Sequence, residues 1–121
     1  MQFSATIPIL RSFDETKARE FYIDFLGFTL DWEHRFADGM PLYIQVSRAG
    51  CRLHISEHHG DGSPGAAVFI DMIGLHDFHA ELAAKDYPNL NPGIVEAPWN
   101  AWLMQLIDPF GNKLNFSQSK E

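Results

Sequence analysis

The sequence predicts an α+β fold made of two tandem βαβββ modules, on three observations. Strand-patterned and helix-patterned segments alternate in that order, the order occurs twice, and the glycines of the final turns recur with it. Phe3–Leu10 is apolar and partly β-branched, which predicts a first strand. Ser12 and Asp14 can each cap a helix, and Ser12 with Glu15 fits a capping box. Ala18, Phe21, Tyr22 and Phe25 follow at helical spacing, and Gly27 is placed to end the helix. Phe28–His34 resumes a strand pattern, and Asp38-Gly39 turns it into Leu42–Ser47. Ala49-Gly50 turns again into Arg52–Glu57, where Leu53 and Ile55 alternate with polar side chains.

His58–Pro64 is polar and glycine-rich, a loop between modules. The order then repeats. Ala66–Asp71 is a strand, and Leu75–Lys85 is a helix with Leu75, Phe78, His79 and Leu82 on one face. Ile94–Glu96, Trp102–Ile107 and Lys113–Ser117 are strands, the last two flanking Asp108-Pro109-Phe110-Gly111-Asn112. A shift of 61 residues lays Ala5 on Ala66, Ile7 on Val68, Ile9 on Ile70 and Phe21 on Leu82. It also lays Gly50 on Gly111, Arg52 on Lys113, Leu53 on Leu114, Ile55 on Phe116 and Ser56 on Ser117. Strand alternation alone would not superpose both turn glycines. Two copies are too few to stack as an array, so one domain over 1–121 is expected, with modules at about 1–60 and 61–121. Strand alternation puts Leu53, Ile55, Leu114 and Phe116 toward the helices, and Ile7, His54, Val68 and Asn115 toward a hollow.

The bulk numbers narrow the function. The 121 residues suit one domain. With 16 acidic against 9 basic side chains the net charge is −7, which argues against nucleic acid as a partner and favours a cationic ligand. No run of about 18 apolar residues is present, and no secretory leader is apparent, so no membrane partner is expected. The single Cys51 has no internal disulfide partner, in keeping with a cytoplasmic location.

The paired βαβββ pattern, with Asp14 through Phe21-Tyr22, Leu26-Gly27-Phe28 and the turn Asp108-Pro109-Phe110-Gly111-Asn112, resembles the glyoxalase/bleomycin-resistance/dioxygenase (vicinal oxygen chelate) superfamily. The resemblance implies that fold, and in its metalloenzymes a divalent ion held by His, Glu or Gln from the first and last strands of each module. Those positions fall on Ile7, His54, Val68 and Asn115, and aliphatic side chains have no lone pair to give. His58, His59, His76 and His79 do not supply a replacement set: adjacent loop histidines diverge, and His79 is expected to face the sheet. No metal site and no cofactor are therefore expected.

Leu53-His54-Ile55-Ser56-Glu57, Glu96-Ala97-Pro98-Trp99 and Asp108 to Phe116 are similar to the metal-free bleomycin-resistance branch. Asn100-Ala101-Trp102 departs from it, standing where that branch has a glycine-containing step. The branch implies sequestration without chemical change, by a homodimer with clefts at its interface. A cationic, aromatic-bearing guest needs aromatic faces and carboxylates. The candidate ligand-binding residues are Trp32, Phe36, His54, Glu57, Asp61, Trp99 and Trp102. No catalytic residue is expected: Ser56 and His54 lie side by side without a nucleophile elbow, and Gly60-Asp61-Gly62 lacks the lysine of a phosphate loop. The rival readings are a binder of an unknown endogenous metabolite, and a metal-dependent lyase or dioxygenase with a rearranged site.

Overall fold

The computed structural model describes residues 1–121 and contains the two βαβββ modules, as two compact units, Met1–Ala66 and Ala67–Glu121. In the first unit, β1 (Ile9–Arg11), β2 (Thr29–His34), β3 (Tyr43–Arg48) and β4 (Cys51–Ser56) form one mixed sheet in the order β1-β4-β3-β2. Only β1 and β4 run parallel. The second unit repeats the arrangement with β5 (Ala67–Asp71), β6 (Ile94–Ala97), β7 (Ala101–Ile107) and β8 (Lys113–Ser119), in the order β5-β8-β7-β6.

The first strand is shorter than its pattern predicts. Only Ile9–Arg11 is strand, and Met1 and Phe3 lie exposed. The apolar start of the chain has no sheet neighbour to pair with until Pro8 O accepts the N–H of His54.

Asp14, not Ser12, caps α1 (Glu15–Arg19), its carboxylate accepting the Lys17 N–H at 2.9 Å. Ser12 is buried instead and extends the parallel ladder, its N–H donating to Ser56 O at 2.8 Å. The helix then widens into a π-helical turn over Glu20–Phe25, which buries Phe21, Tyr22 and Phe25 together. Phe21 and Tyr22 meet edge to face at 4.9 Å. Gly27, at φ +76, ends the run as predicted.

Helix α2 (Leu75–Lys85) begins at Gly74, which has no side chain to cap it. Gln118 of β8 does so from across the fold: its Oε1 accepts the N–H groups of Gly74 and Leu75 at 2.9 and 2.8 Å.

Paired strand residues share a sheet face. The buried face of the first sheet carries Leu10, Ile44, Val46, Leu53 and Ile55, and that of the second carries Met104, Leu106, Leu114 and Phe116. The pairing corrects the constant shift. Leu10 with Ile55 corresponds to Ile70 with Phe116, so the first strands are offset by one residue fewer than the last. Ile9 and Ile70 are therefore on opposite kinds of face. So are Ile9 and Val68: Val68 pairs with Leu114 on the buried side, and Phe69 takes the position beside Asn115.

Candidate functional site

The first sheet's other face carries Ile9, Tyr43, Gln45, His54 and Ser56. Simple alternation from the pair of half-buried Leu30 with buried Val46 would turn Trp32 to the core side. A β-bulge prevents that. The register slips between Leu30 and Trp32, so Trp32 rather than Asp31 stands opposite Gln45. The indole lies flat against the Tyr43 ring, with centroids 5.9 Å apart and planes 4° from parallel. His54 meets both rings edge on, at 5.3 Å from Trp32 and 5.1 Å from Tyr43. Phe36, 76% exposed, continues the surface through His34 at 5.1 Å and His58 at 6.1 Å.

A chain of hydrogen bonds runs along this aromatic surface. Asp31 accepts from Ser47 Oγ and from Gln45 Nε2, each at 3.0 Å. Those two bonds, with Arg52 adding a smaller attraction, hold the Asp31 carboxyl below the usual range. Gln45 Oε1 lies 3.0 Å from His54 Nε2, and Tyr43 Oη lies 2.6 Å from His54 Nδ1. Partial burial, reinforced by Arg52, pushes the His54 pKa below its ordinary 6.5. Burial, reinforced by the charge of Asp61, pushes the Tyr43 phenol up. Neutral imidazole and neutral phenol are the stable forms here.

Of the candidates in this unit, Trp32, Phe36 and His54 come together on one surface. Asp61 belongs at its edge: its carboxylate accepts from Ser56 Oγ at 3.0 Å, and its charge reaches Tyr43. The loop that carries it lies close to β1. A side-chain carbon at Gly62 would come within 2.7 Å of Ile9 O, and the residue's φ is +66. Glu57 is fixed through its backbone, donating to Leu42 O, while its carboxylate makes no bond to the cluster. Tyr43, Gln45 and Ser47 were not among the candidates. The signal existed: a two-residue turn at Ala49-Gly50 sets Gln45 opposite His54 and Tyr43 opposite Ser56.

The second unit keeps its two candidate tryptophans apart. Trp99, in the β6–β7 turn, is exposed and touches Phe69 at 6.3 Å. Gln105 Nε2 donates to Asn115 Oδ1 at 2.8 Å on the same sheet face as Phe69. Trp102 shares a face with Met104 and Leu106, on the side that carries α2. It packs against His76 of α2 at 5.4 Å, and Lys120 Nζ lies 4.4 Å above its ring. The same ammonium pairs with Glu96 at 3.1 Å. Trp102→Ala is therefore expected to cost about 1–2 kcal/mol of stability through lost helix packing. Urea unfolding measures this, and an unchanged midpoint would show that the ring bears no load.

The donor set does not suit a metal ion. No three His, Cys, Asp or Glu side chains are grouped closely enough to hold one. Both nitrogens of His54 are already engaged, by Tyr43 and Gln45. The first-strand neighbours of His54 and Asn115 are Ile9 and Phe69, neither of which offers a lone pair. What this surface offers chemically is stacking, acceptor oxygens and a fixed neutral imidazole.

The whole chain, residues 1–121, matches the family model described as "Glyoxalase superfamily protein". No curated protein matches. Among solved structures, a bleomycin-binding protein complexed with bleomycin is similar at TM-score 0.75 and 17% identity, covering 98% of this chain and 100% of that one. A bleomycin resistance determinant encoded on the transposon Tn5 is similar at 0.74 and 16%, covering 98% and 100%. The bleomycin-binding protein from bleomycin-producing Streptomyces verticillus, complexed with copper(II)-bleomycin, is similar at 0.73 and 27%, covering 100% and 99%.

Proposed function

The chain belongs to the glyoxalase superfamily, and from that premise we propose that it binds, without transforming, a flat cationic small molecule of the bleomycin type. The observation that carries this reading is the exposed aromatic surface of Trp32, Tyr43, His54 and Phe36, with the carboxylates of Asp31 and Asp61 at its edges. Aromatic faces stack on flat rings, and carboxylates draw cations. The net charge of −7 adds a weak, salt-dependent attraction of the same sign.

Support comes from relatives of the same fold whose structures hold bleomycin. Trp32, Phe36, His54 and Asp61 are the primary contacts in this reading. Trp99 with Phe69 offers a second aromatic surface, and Glu57 a nearby free carboxylate. The working form is a metal-free homodimer in the cytoplasm, a view that rests on the resemblance to the metal-free bleomycin-resistance branch and on the chemistry of the donor set.

Isothermal titration with metal-free bleomycin tests the reading. Saturable binding, with recovery of unmodified drug, is the expected result. Absence of heat together with absence of protection of DNA against the drug rejects it. Equilibrium dialysis against zinc, nickel and iron separates the metalloenzyme alternative: one ion held per chain at micromolar affinity would favour that alternative instead.

A further inference from the structure

The proposal above treats the aromatic surface as a place to stack. The hydrogen bonds along it do more, because their direction is fixed from one end. A carboxylate is only an acceptor, so Asp31 requires the amide NH2 of Gln45 to point at it, at 3.0 Å, with Ser47 donating to the other oxygen. The Gln45 carbonyl is thereby turned to His54 Nε2, at 3.0 Å, and that nitrogen must carry the proton. In neutral imidazole the other nitrogen is then a bare acceptor. Tyr43, 2.6 Å away, must spend its only hydrogen on it. The one donor that Tyr43 has is thereby consumed. What remains facing outward at Tyr43 is oxygen lone pairs, beside the negative field of Asp61.

We propose that the chain Ser47–Asp31–Gln45–His54–Tyr43 is a specificity device that makes Tyr43 Oη an obligate acceptor, so that this surface selects aromatic cations bearing an N–H donor. The inference rests on the reading of the surface as a binding site and names the class of group it takes there. A flat cation without an N–H stacks but forms no bond to Tyr43. A flat anion meets lone pairs and two carboxylates. Gln45 acts as a positioning residue, since its side chain hydrogen-bonds Asp31 and His54.

The charged and titratable groups around His54 are Asp31 of β2 through Gln45, Tyr43 of β3, Arg52 of β4, and His58 and Asp61 of the following loop. Its β1 neighbour, Ile9, is uncharged; Arg11, farther along β1 on the same face, lies over Phe13. Protonation of His54 puts a hydrogen on Nδ1 and frees the hydroxyl hydrogen of Tyr43, which reverses the preference. A histidine held below its ordinary pKa binds fewer protons folded than unfolded. The ordered chain is thus at full strength above pH 6.5, and is eroded as pH falls from there through the lowered pKa of His54.

Two measurements test this without using bleomycin. Nitrogen-15 NMR of the imidazole is expected to show His54 as the Nε2–H tautomer at neutral pH, titrating below 6.5. NMR titration above pH 6.5 then compares three fragments: protonated 2-aminobenzimidazole, N-methylquinolinium and 2-naphthoate. The first is expected to bind about tenfold tighter than the second, as one charge-assisted hydrogen bond would give, and the third not at all. Tyr43→Phe keeps the ring against Trp32 and should reduce the tenfold preference to about twofold or less. Gln45→Leu should do the same and shift the His54 tautomer signal, which a purely structural role would leave alone. An Nδ1–H tautomer, equal affinity for the two cations, a preference for naphthoate, or failure of all three to perturb Trp32, Tyr43 and His54 would each overturn the proposal. Failure of bleomycin to bind while the fragments discriminate would count against the drug assignment alone.

Discussion

Replacing Asp108 with alanine is expected to lower stability by about 3 kcal/mol, and the melting temperature by roughly 10 °C, without touching the aromatic surface. Asp108 is buried at the mouth of the β7–β8 turn. One carboxylate oxygen accepts the N–H groups of Phe110 and Asn112, each at 2.8 Å, and the other accepts the Asn112 amide at 2.7 Å. Asn112 is itself fully buried, so truncation takes a charged acceptor from its donors at a place that water does not reach. Hydrogen bonds to a charged acceptor are also stronger than neutral ones. Asp108→Asn should fall between the two, because it keeps one acceptor and turns an NH2 toward another NH2. Denaturant unfolding of the three proteins is the measurement. A loss below about 1 kcal/mol for Asp108→Ala would mean that the backbone bonds of the turn, Asp108 N–H to Asn112 O and Gly111 N–H to Asp108 O, suffice to hold it.

Trp32→Ala is expected to weaken binding of metal-free bleomycin by about 2.5 kcal/mol, roughly sixtyfold, with little change in stability. The indole is 43% exposed and buries its inner face on Tyr43 and the edge of His54. Its outer face is free to receive a ring. Truncation removes that face and uncovers Tyr43, so the guest loses both area and order. Isothermal titration reads the affinity, and urea unfolding checks the fold. An unchanged affinity with an intact fold would move the binding surface elsewhere, with Trp99 and Phe69 the next place to look. Trp102→Ala is the matched control, a tryptophan on the helix-bearing face whose loss should register in stability.

Most of the fold was legible because periodicity and turn chemistry agree. Gly27, Ala49-Gly50 and Asp108 to Asn112 each mark a stop or turn that the structure contains. The errors have local causes. Phe3–Leu10 looks like a strand by composition, but only Ile9–Arg11 is strand. Ser12 has the chemistry of a cap, yet the parallel ladder claims it first. Val68 was set facing outward because a constant shift was extended into a strand that is one residue out of step. In the site, Trp32 stands out as an aromatic at a strand end, while Tyr43 and Gln45 are strand-interior residues that plain hairpin arithmetic places beside His54. What single-sequence reasoning could not supply was the slip at Asp31, since alternation gives the opposite orientation for Trp32.

That slip has an evolutionary consequence. A strand that loses one residue there keeps a single side chain, in place of Asp31 and Trp32 together, at the position opposite Gln45, while Leu30 and Glu33 stay opposite Val46 and Ile44. Length variation at a single codon can thus rewrite the guest-facing surface without renegotiating the rest of the sheet. Homologues that differ in cargo are expected to differ in length at this point before they differ in their core.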